Sequence, residues 1–335
     1  MSTLRILVIR LSSMGDVIHT LPAVAALKKF LPDSQLCWLI RPRWTPLLEG
    51  NPFVDEVIPL ERSIGATLRC AAALRKRRFD LSVDFQGLIQ TAVVARAARP
   101  RKLFGFGTQS VREKPAAWFY SDPVEPHTHN IEPQPGAAHV VDQNMELAAA
   151  AAGNSRDIAN QPREFPLPPG RPEGSLPDRP FILASPFAGW GSKQWPLEYW
   201  TDLARRLPLP LVVNGPPASR DRLAAIQGAS VHLSGIPGLI DATRRATAVL
   251  GLDSGPLHLA AALGKPGVAL FGPTDPARNG PYGGSIRDGG LIRVLRDPHA
   301  VTDYHRRDQP DASMRALTPE MVSRTLAEIL QGTSA

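Results

Sequence analysis

The residues that could do chemistry stand in short polar stretches, each of which follows an apolar run. The first stretch, residues 12–16, ends in Asp16 and comes after the largely apolar residues 4–10. An ionised carboxylate in such a loop can act as a general base. The same carboxylate could instead cap the following helix, because acidic side chains stabilise helix N-termini. The spacing leaves both roles open.

A second polar stretch, residues 253–258, reads Asp-Ser-Gly-Pro-Leu-His and also follows an apolar run. Asp253 or Ser254 can cap a helix that starts here, and Pro256 fits near its first position. The free N–H groups and the dipole of such a helix start favour an anion such as a diphosphate. His258 lies about one turn further on, where it could contact a ligand or pack in the core.

Two further loops follow predicted strands in the second half of the chain. In residues 185–196, Lys193 lies among small residues and could act as a positive point charge for a phosphate. The alternative for Lys193 is an exposed surface lysine. Residues 271–284 hold Thr274 among several glycines and prolines, which give the backbone a stiff and particular shape. This loop could bind a ligand or form an ordinary surface turn.

Several other chemistries find no support in the sequence. The glycine fingerprint of dinucleotide sites, the Walker A loop and the Gly-x-Ser-x-Gly elbow of hydrolases are all absent. His127, His129 and His139 stand without the carboxylates or thiols that would complete a metal site. Cys37 and Cys70 are the only cysteines, so neither a disulfide scaffold nor a cysteine-based zinc cluster is expected.

The elements that must position these loops alternate between apolar strands and helices. Short apolar runs indicate buried parallel strands, and strands that alternate with helices indicate βαβ units. The pattern predicts strands at residues 4–10, 35–40, 54–59, 79–85, 102–106, 181–185, 211–214, 248–253, 267–271 and 291–295. It predicts helices at residues 20–30, 66–78, 88–98, 200–207, 220–227, 240–246, 257–263 and 318–331. We therefore expect an α/β protein whose polar loops lie at the carboxyl ends of strands, where ligands bind.

A proline-rich stretch interrupts this alternation and predicts the domain organisation. Seven prolines lie between residues 162 and 180, which is typical of a semi-rigid linker. We expect an N-terminal domain over residues 1–165, a linker over 166–180 and a C-terminal domain over 181–317. The final helix is predicted from Thr318 as its N-cap and Pro319 in its first position.

The positive charge of the chain is concentrated in one segment. The 335 residues carry a net charge of +7, whereas residues 62–114 alone hold twelve basic and three acidic residues. Such a segment favours an anionic partner, namely a nucleic acid, a phosphate-bearing substrate or an anionic membrane. For residues 75–78, a solvated helix face is an equally good explanation. No apolar run reaches about 18 residues, and the N-terminus lacks a secretory-signal pattern, so we expect a cytoplasmic protein.

Five segments together resemble glycosyltransferase family 9, in particular its lipopolysaccharide heptosyltransferases of type I. They are ILVIRLSSMGDVIHTLPAV (6–24), DFQGLIQTAVVARAARPRKLFGF (84–106), REKPAAWFY (112–120), KQWP (193–196) and GLDSGPLHLAAALGKPGVALFGPTDPARNGPYG (251–283). These segments follow the order of the family over nearly the whole chain. The resemblance implies a GT-B fold, in which two Rossmann-like parallel-sheet domains face each other across a cleft. It also implies that the final helix returns to the N-terminal domain.

The same resemblance implies a reaction. The C-terminal domain would bind the donor ADP-L-glycero-D-manno-heptose, which is a substrate and not a cofactor. The N-terminal domain would bind the Kdo inner core on lipid A, with the protein held peripherally on the cytoplasmic face of the inner membrane. Transfer would invert the anomeric centre without a metal or other cofactor, and no nucleic-acid partner is expected. The alternatives are another family 9 transferase, type II-like or with a different donor or acceptor, and a non-catalytic nucleotide-sugar-binding protein.

The residues that this resemblance implicates form a donor group and an acceptor group. Asp16 matches the general base on the acceptor hydroxyl, Lys193 matches the lysine that holds the donor diphosphate, and Asp253 matches a donor-contacting aspartate. The remaining donor residues are Ser254, Gly255, His258, Ser185, Ser192 and Thr274, and the remaining acceptor residues are Ser12, Ser13, Gly15, Gln86 and Arg62. Where type I enzymes carry two threonines before the lysine, this chain has Ala188 and Gly189. Ser185, Ser192 or backbone N–H groups are the candidates to replace those hydroxyls.

Overall fold

The computed structural model divides the chain into two compact units, Met1–Pro168 and Pro169–Ala335. It describes residues 3–126, 139–153, 156–282 and 291–332. The boundary between the two units falls inside the predicted linker over residues 166–180. Within the described residues, no helix combines the length and the apolar character needed to cross a bilayer.

The first unit contains six strands and five α-helices among its described residues. The strands are β1 (Arg5–Ile9), β2 (Gln35–Ile40), β3 (Glu56–Pro59), β4 (Leu81–Asp84), β5 (Lys102–Phe106) and β6 (Asp122–Val124). The helices are α1 (Met14–Phe30), α2 (Ile64–Lys76), α3 (Ile89–Ala97), α4 (Val140–Ala151) and α5 (Arg156–Ala159), with 3-10 helices at Pro42–Leu48 and Lys114–Phe119. The strands form one parallel sheet in the order β3-β2-β1-β4-β5-β6.

The second unit repeats this plan. Its strands are β7 (Ile182–Ser185), β8 (Leu211–Gly215), β9 (Ser230–Leu233), β10 (Ala248–Leu252), β11 (Gly267–Phe271) and β12 (Ile292–Arg296). Its helices are α6 (Leu197–Arg206), α7 (Arg220–Ala224), α8 (Ile236–Arg245), α9 (Gly255–Ala262), α10 (Pro276–Asn279), α11 (Ala312–Ala316) and α12 (Pro319–Gly332). The parallel sheet has the order β12-β11-β10-β7-β8-β9.

The predicted α/β class with two parallel sheets is confirmed. All ten predicted strands are present, with bounds within two residues of the prediction. The sequence did not reveal β6 and β9, which lie at sheet edges. An edge strand is covered less than a central one, so its apolar pattern is weaker. β6 has only three residues and includes Pro123, which cannot donate to a sheet ladder.

The start of α1 corrects the sequence prediction. We expected a turn over residues 12–16 and a helix from residue 20, whereas the helix begins at Met14. Pro22 therefore lies inside the helix and not in its first turn. The carboxylate of Asp16 accepts hydrogen bonds from the backbone and the hydroxyl of Ser13, at 2.7 and 2.9 Å. These bonds stabilise the earlier helix start, as a capping box does.

In each sheet the chain reverses its direction of growth between two central strands. In the first unit these are β1 and β4, and in the second they are β7 and β10. The connections on either side of such a point leave in opposite directions. An open space therefore forms at the carboxyl ends of the two strands, and ligands of doubly wound sheets bind there. This places the loops after β1 and β4, and after β7 and β10, as the sites to inspect.

Part of the proline-rich segment packs on the second unit. Glu173 accepts a 2.6 Å hydrogen bond from the backbone N–H of Gly235. Gly170 has a φ of +83°, and a Cβ there would lie 2.6 Å from the backbone nitrogen of Asp241. Only glycine accepts this conformation and this close approach without strain. The proline-rich residues from 169 onward are therefore packed as part of the second unit.

The final helix packs on the second unit, which corrects the expectation that residues 318–331 return to the N-terminal domain. Val322, Leu326 and Ile329 of α12 are buried in the same core as Trp200 of α6. The predicted N-cap is present in part, since the hydroxyl of Thr318 accepts a hydrogen bond from the backbone N–H of Met321 at 3.3 Å. The apolar face of α12 thus packs on α6 and β11, which belong to the same unit.

Candidate functional site

Asp16 lies at the carboxyl end of β1, in the first turn of α1. Its Oδ2 atom accepts both hydrogen bonds from Ser13, while Oδ1 forms a 2.9 Å ion pair with Nη2 of Arg10. Of the two roles left open by the sequence, the capping role is confirmed by these contacts. The carboxylate also remains 32% exposed, and its role as a general base stays a prediction. Oδ1 has one partner among the described residues, so a lone pair remains to accept a proton.

Arg10 holds the Asp16 carboxylate in place, a role that was not predicted from the sequence. Its guanidinium is buried, and Nη1 donates to the carbonyl oxygen of Phe85 at the end of β4. One side chain thus connects the carboxyl ends of β1 and β4 to the carboxylate. An arginine that ends an otherwise apolar central strand was the signal available in the sequence, because a buried charge needs a partner.

The ionised form of Asp16 is favoured. Burial by itself would raise the pKa of this carboxyl, but the charge of Arg10 and the hydrogen bonds from Ser13 lower it, and the charge of Arg112 acts in the same direction. The net effect is a pKa below the ordinary value for aspartate. Asp16 is therefore ionised at neutral pH.

Gln86 shapes the loop that carries Ser12 and Ser13. Its side-chain oxygen accepts hydrogen bonds from the backbone N–H groups of Leu11 and Ser12, at 2.9 and 3.0 Å. Gln86 is buried, and both bonds hold the β1 loop against the β4 loop. The predicted acceptor residues Ser12, Ser13 and Gln86 are therefore neighbours of Asp16, and Gly15 lies beside it in α1.

A second buried carboxylate, Asp84, ends β4 just before Gln86, and the sequence did not indicate a role for it. Its Oδ1 accepts from the backbone N–H of Gln86 at 2.9 Å, and its Oδ2 accepts from the Tyr120 hydroxyl at 2.9 Å. Burial raises the pKa of Asp84, while the hydrogen bonds it accepts oppose this rise. We assign Asp84 and Tyr120 to positioning Gln86 from beneath the loop.

In the second unit, Lys193 and Asp253 form a buried ion pair. The Lys193 ammonium lies 2.5 Å from Oδ2 of Asp253 and 3.4 Å from its backbone carbonyl oxygen. Lys193 follows β7 and Asp253 follows β10, so the pair joins the two central strands at their carboxyl ends. The sequence identified both residues separately, and the structure shows that they act as one unit.

Thr274 and His258 complete the surroundings of Asp253. The Thr274 hydroxyl donates to Oδ2 of Asp253 at 2.7 Å, and Nε2 of His258 lies 3.7 Å from Oδ1. Burial would raise the pKa of Asp253, but the bond to His258 and the charge of Lys193 lower it well below the ordinary value. Three predicted donor residues, Lys193, His258 and Thr274, therefore converge on the ionised carboxylate of a fourth, Asp253.

The start of α9 lies directly beside this cluster. Ser254 is the N-cap, Gly255 is the first helical residue and Pro256 is the second. The Ser254 hydroxyl is buried without a hydrogen-bond partner among the described residues. Helix starts carry free N–H groups and a partial positive charge, which favour an anion. Together with Lys193, this end of α9 offers positive groups that could accept a diphosphate.

Two cations, those of Lys193 and Arg306, lie near the ring of Trp190. The ammonium lies 4.0 Å from the centroid of the Trp190 ring, and the guanidinium of Arg306 lies 5.2 Å from the same centroid. Cations over aromatic faces at such distances are attracted by the ring quadrupole. Neither Trp190 nor Arg306 was predicted from the sequence as a residue of this site.

The remaining predicted donor residues have different surroundings. Ser192 lies against the residue that follows Arg306, because its backbone N–H donates to the carbonyl oxygen of Arg307 at 2.9 Å. Ser185 ends β7 and lines a small cavity with Gly251 and Pro256. Neither serine contacts the Lys193–Asp253 pair in a described hydrogen bond, so their proposed replacement of the missing hydroxyls stays a prediction.

Arg62 lies at the carboxyl end of β3, exposed and close to Arg41. The charge of Arg62 contributes to a lowered pKa of Arg41, after the larger effect of burial. Arg41 donates to the carbonyl oxygens of Leu60 and Glu61 at 2.8 and 2.7 Å. Arg41 and Arg62 thus both add positive charge at this edge, which suits an anionic ligand.

No group of three or more histidine, cysteine or carboxylate side chains within the described residues could hold a metal ion. Of the three histidines considered from the sequence, His127 and His129 lie outside the described residues. His139 is described as the N-cap of α4, where its ring accepts from the backbone of Val141 at 3.2 Å.

Comparison with known proteins agrees with this arrangement. Residues 67–293, more than half of the chain, match the profile of glycosyltransferase family 9 (heptosyltransferase). The chain belongs to glycosyltransferase family 9. It is therefore an enzyme, and the family resemblance found in the sequence is confirmed.

Relatives of known function are similar over most of their length. Lipopolysaccharide heptosyltransferase 1 of Pseudomonas aeruginosa is 29% identical over 314 residues, covering 84% of this chain and 82% of that protein. Lipopolysaccharide heptosyltransferase 1 of Escherichia coli K12 is 28% identical over 310 residues, covering 84% of this chain and 91% of that protein.

Solved structures of family members share the fold. The E. coli heptosyltransferase WaaC, solved with ADP-2-deoxy-2-fluoro heptose, gives a TM-score of 0.73 at 24% identity and covers 97% of this chain and 99% of its own. E. coli ADP-heptose lipopolysaccharide heptosyltransferase II gives a TM-score of 0.77 at 22% identity, covering 99% of this chain and 100% of its own. These structures confirm the expected GT-B class for the two-sheet fold.

Proposed function

We propose that this enzyme transfers heptose from ADP-L-glycero-D-manno-heptose to the Kdo inner core of lipopolysaccharide. The observation that carries the proposal is the convergence of Lys193, Asp253, His258 and Thr274 at the start of α9. This cluster supplies the positive groups and the fixed carboxylate that a nucleoside diphosphate sugar requires. The relatives from P. aeruginosa and E. coli are lipopolysaccharide heptosyltransferases, which supports heptose as the transferred sugar and lipopolysaccharide as the acceptor.

The donor diphosphate would bind between the Lys193 ammonium and the N–H groups at the start of α9. Negative charge grows on this diphosphate as the bond to the sugar breaks. Fixed positive groups stabilise that charge without reorganising, and their effect is greater in a buried site. Because Lys193 and the helix start provide this positive charge, we propose that transfer needs no metal and no other cofactor.

Asp16 would act as the general base on the acceptor hydroxyl. Its low pKa keeps it ionised, and Oδ1 retains a lone pair for the proton. As the sugar carbon gains positive charge, the attacking hydroxyl becomes more acidic, so a weak base suffices late in the reaction. A single displacement on the sugar carbon would invert its configuration.

The acceptor would be anionic and linked to lipid. Arg41, Arg62 and Arg112 provide positive charge around the Asp16 loop, which suits the carboxylate and phosphate groups of an inner core. We propose that the enzyme works at the cytoplasmic face of the inner membrane as a peripheral protein. We do not propose a nucleic-acid partner, because these basic residues lie near the loop proposed to bind the acceptor.

The test is release of ADP when the purified enzyme receives ADP-heptose and a deacylated Kdo acceptor. We expect Asp16→Asn to keep donor affinity and to lose transfer by about a hundredfold or more, the usual range for removal of a general base. Lys193→Met should weaken ADP binding by about tenfold or more, as loss of a charge-assisted hydrogen bond does.

The melting temperature of both variants shows whether they remain folded. This control is needed because Lys193→Met leaves the buried Asp253 without its ion-pair partner, which is destabilising. A second acceptor that already carries one heptose separates type I from type II activity. Near-native transfer by Asp16→Asn would remove Asp16 from the role of base. Absence of transfer from ADP-heptose to either acceptor by the wild-type enzyme would overturn the proposed reaction.

A further inference from the structure

Three adjacent elements of the first unit expose large apolar side chains. On α2, Ile64 is 82% exposed and Leu68 is 66% exposed. On α3, Ile89 and Val93 are 41% and 43% exposed, and Trp118 in the 3-10 helix Lys114–Phe119 is 79% exposed. Scattered apolar residues on a surface are ordinary, but a cluster of this kind marks an interaction site.

The apolar residues fall on neighbouring faces. Ile64 and Leu68 are four residues apart on α2, and Ile89 and Val93 are four residues apart on α3, so each pair shares one helix face. The amide of Gln90 donates to the hydroxyl of Thr67 at 3.1 Å, which joins α2 to α3.

On its other side, α3 packs on the 3-10 helix that carries Trp118. The backbone N–H of Ile89 donates to Glu113 at 2.8 Å, just before that helix. We refer to Ile64, Leu68, Ile89, Val93 and Trp118 as the apolar surface.

Positive charges border the apolar surface. Arg62, Arg69, Arg112 and Lys114 are exposed and form no ion pair with any residue that the structure describes. The guanidinium of Arg69 lies 3.3 Å from the place where a Cβ of Gly65 would be, so it covers the first turn of α2 beside Ile64 and Leu68. Unpaired cations next to exposed apolar side chains are complementary to an anionic lipid surface, which offers both negative headgroups and an apolar layer.

We propose that the apolar surface and its basic border dock on an anionic lipid bilayer. In this arrangement Ile64, Leu68 and Trp118 enter the boundary between headgroups and acyl chains, and the basic residues contact lipid phosphates. The inference rests on the proposed lipid-linked acceptor. α2 and α3 both begin at the carboxyl edge of the first sheet, where Asp16 lies, so the docked enzyme presents its acceptor loop to the membrane.

Binding to vesicles tests the docking directly. The wild-type enzyme is sedimented with phosphatidylcholine vesicles that contain phosphatidylglycerol and, separately, with phosphatidylcholine alone. We expect binding to the anionic vesicles that weakens with added salt. Ile64→Glu combined with Leu68→Glu should lower this binding by about tenfold or more, because two apolar anchors are lost and two like charges are added.

Met321→Glu is the matched control. Met321 is an exposed apolar residue on a helix of the second unit, so this variant should bind vesicles as the wild type does. Arg69→Gln combined with Lys114→Gln should weaken binding at low salt while leaving the apolar anchors in place. Equal binding of the wild type and the Ile64→Glu, Leu68→Glu variant would overturn the proposal.

Fluorescence shows whether Trp118 enters the bilayer. Vesicles made with brominated acyl chains should quench part of the tryptophan emission of the wild-type enzyme. Trp118→Phe keeps an aromatic anchor, so it should still bind the vesicles but lose this quenching. Undiminished quenching in Trp118→Phe would show that another tryptophan contacts the lipid, which contradicts the proposed orientation.

Two activity measurements separate this inference from the proposed reaction. The Ile64→Glu, Leu68→Glu variant should match the wild type on a soluble deacylated acceptor and fall below it on an acceptor embedded in vesicles. Equal losses on both acceptors would place these residues in the acceptor site and overturn the docking. A dimer of the wild type that dissociates in the variant, seen by sedimentation velocity, would identify the surface as an interface between two copies. If the wild type binds vesicles but transfers no heptose, the reaction fails while the docking stands.

Discussion

Asp16 shows how one residue can satisfy two readings of the same sequence. As a cap it accepts two hydrogen bonds from Ser13, and as a candidate base it keeps an exposed oxygen beside Arg10. The cap also fixes the orientation of the carboxylate, because both bonds hold Oδ2. A general base needs such a fixed geometry more than it needs a high pKa at neutral pH.

The pH dependence of transfer should report the pairing of Arg10 with Asp16. In Arg10→Met the carboxyl keeps its burial and loses its closest positive charge, so its pKa should rise by about one unit or more. Because only the ionised carboxylate can accept a proton, the acidic limb of kcat/KM should move to higher pH by the same amount. A pH profile on the soluble acceptor measures this shift.

The same pairing affects stability, with a defined sign. A carboxyl whose pKa is lowered by folding stabilises the folded state above its unfolded pKa, and this stability is lost as the pH falls through the folded pKa. Arg10→Met should therefore lose stability at neutral pH and lose less on acidification than the wild type. Arg10→Lys, which keeps a charge, should restore part of the profile. An unchanged acidic limb in Arg10→Met would contradict the positioning role.

At the scale of elements, a glycine in β5 decides how the buried tyrosine beneath the acceptor loop is placed. A Cβ at Gly105 would lie 2.3 Å from the ring of Tyr120, far inside contact distance. The strand can therefore hold Tyr120 against its face only with glycine at this position. From there the Tyr120 hydroxyl reaches Asp84, whose other oxygen holds the backbone of Gln86.

We expect Gly105→Ala to lower the free energy of unfolding by about 1–3 kcal/mol, as overpacking of a filled core does. It should also raise KM for the acceptor, because the displaced Tyr120 no longer positions the Asp84 carboxylate. Chemical denaturation and acceptor titrations measure the two effects. Gly189→Ala is the control for stability, since a Cβ there meets nothing within 4 Å. Wild-type stability in Gly105→Ala would mean that Tyr120 moves aside at no cost.

At the scale of the whole molecule, the final helix stabilises the second unit. Leu326 is fully buried in the core of that unit, whereas Met321 on the same helix is 42% exposed. Leu326→Ala should cost about 2–5 kcal/mol, as truncation of a buried leucine does. Hydrogen exchange of the full chain should then accelerate in the strands of the second sheet and stay unchanged in those of the first.

Met321→Ala is the matched control for this measurement, and we expect it to change stability by less than about 0.5 kcal/mol. The proposed donor site lies in the same unit, so Leu326→Ala should also weaken ADP binding. Faster exchange confined to the first sheet would show that α12 stabilises the other unit.

The sequence by itself determined ten of the twelve described strands, the two-unit α/β class and the polar loops that follow those strands. Strands such as Gln35–Ile40, Lys102–Phe106 and Gly267–Phe271 were predicted with their observed bounds. A central parallel strand is buried on both faces, so its sequence is a continuous apolar run, which can be recognised without knowledge of the rest of the fold. The start of α9 was readable for the same reason, since the residues around a helix start are neighbours in sequence. The sequence left Asp253 and Ser254 as alternatives, and Ser254 occupies the N-cap position.

Only the tertiary structure decided which charged groups meet. Arg10 contacts the carbonyl of Phe85, 75 residues away, and Lys193 pairs with Asp253, 60 residues away. The packing of α12 on α6 likewise joins distant segments. A local pattern indicates that a face is apolar or that a charge is present, but it does not name the partner. That partner is chosen when the sheet brings strand ends together, because a buried charge is stable only beside its counter-charge.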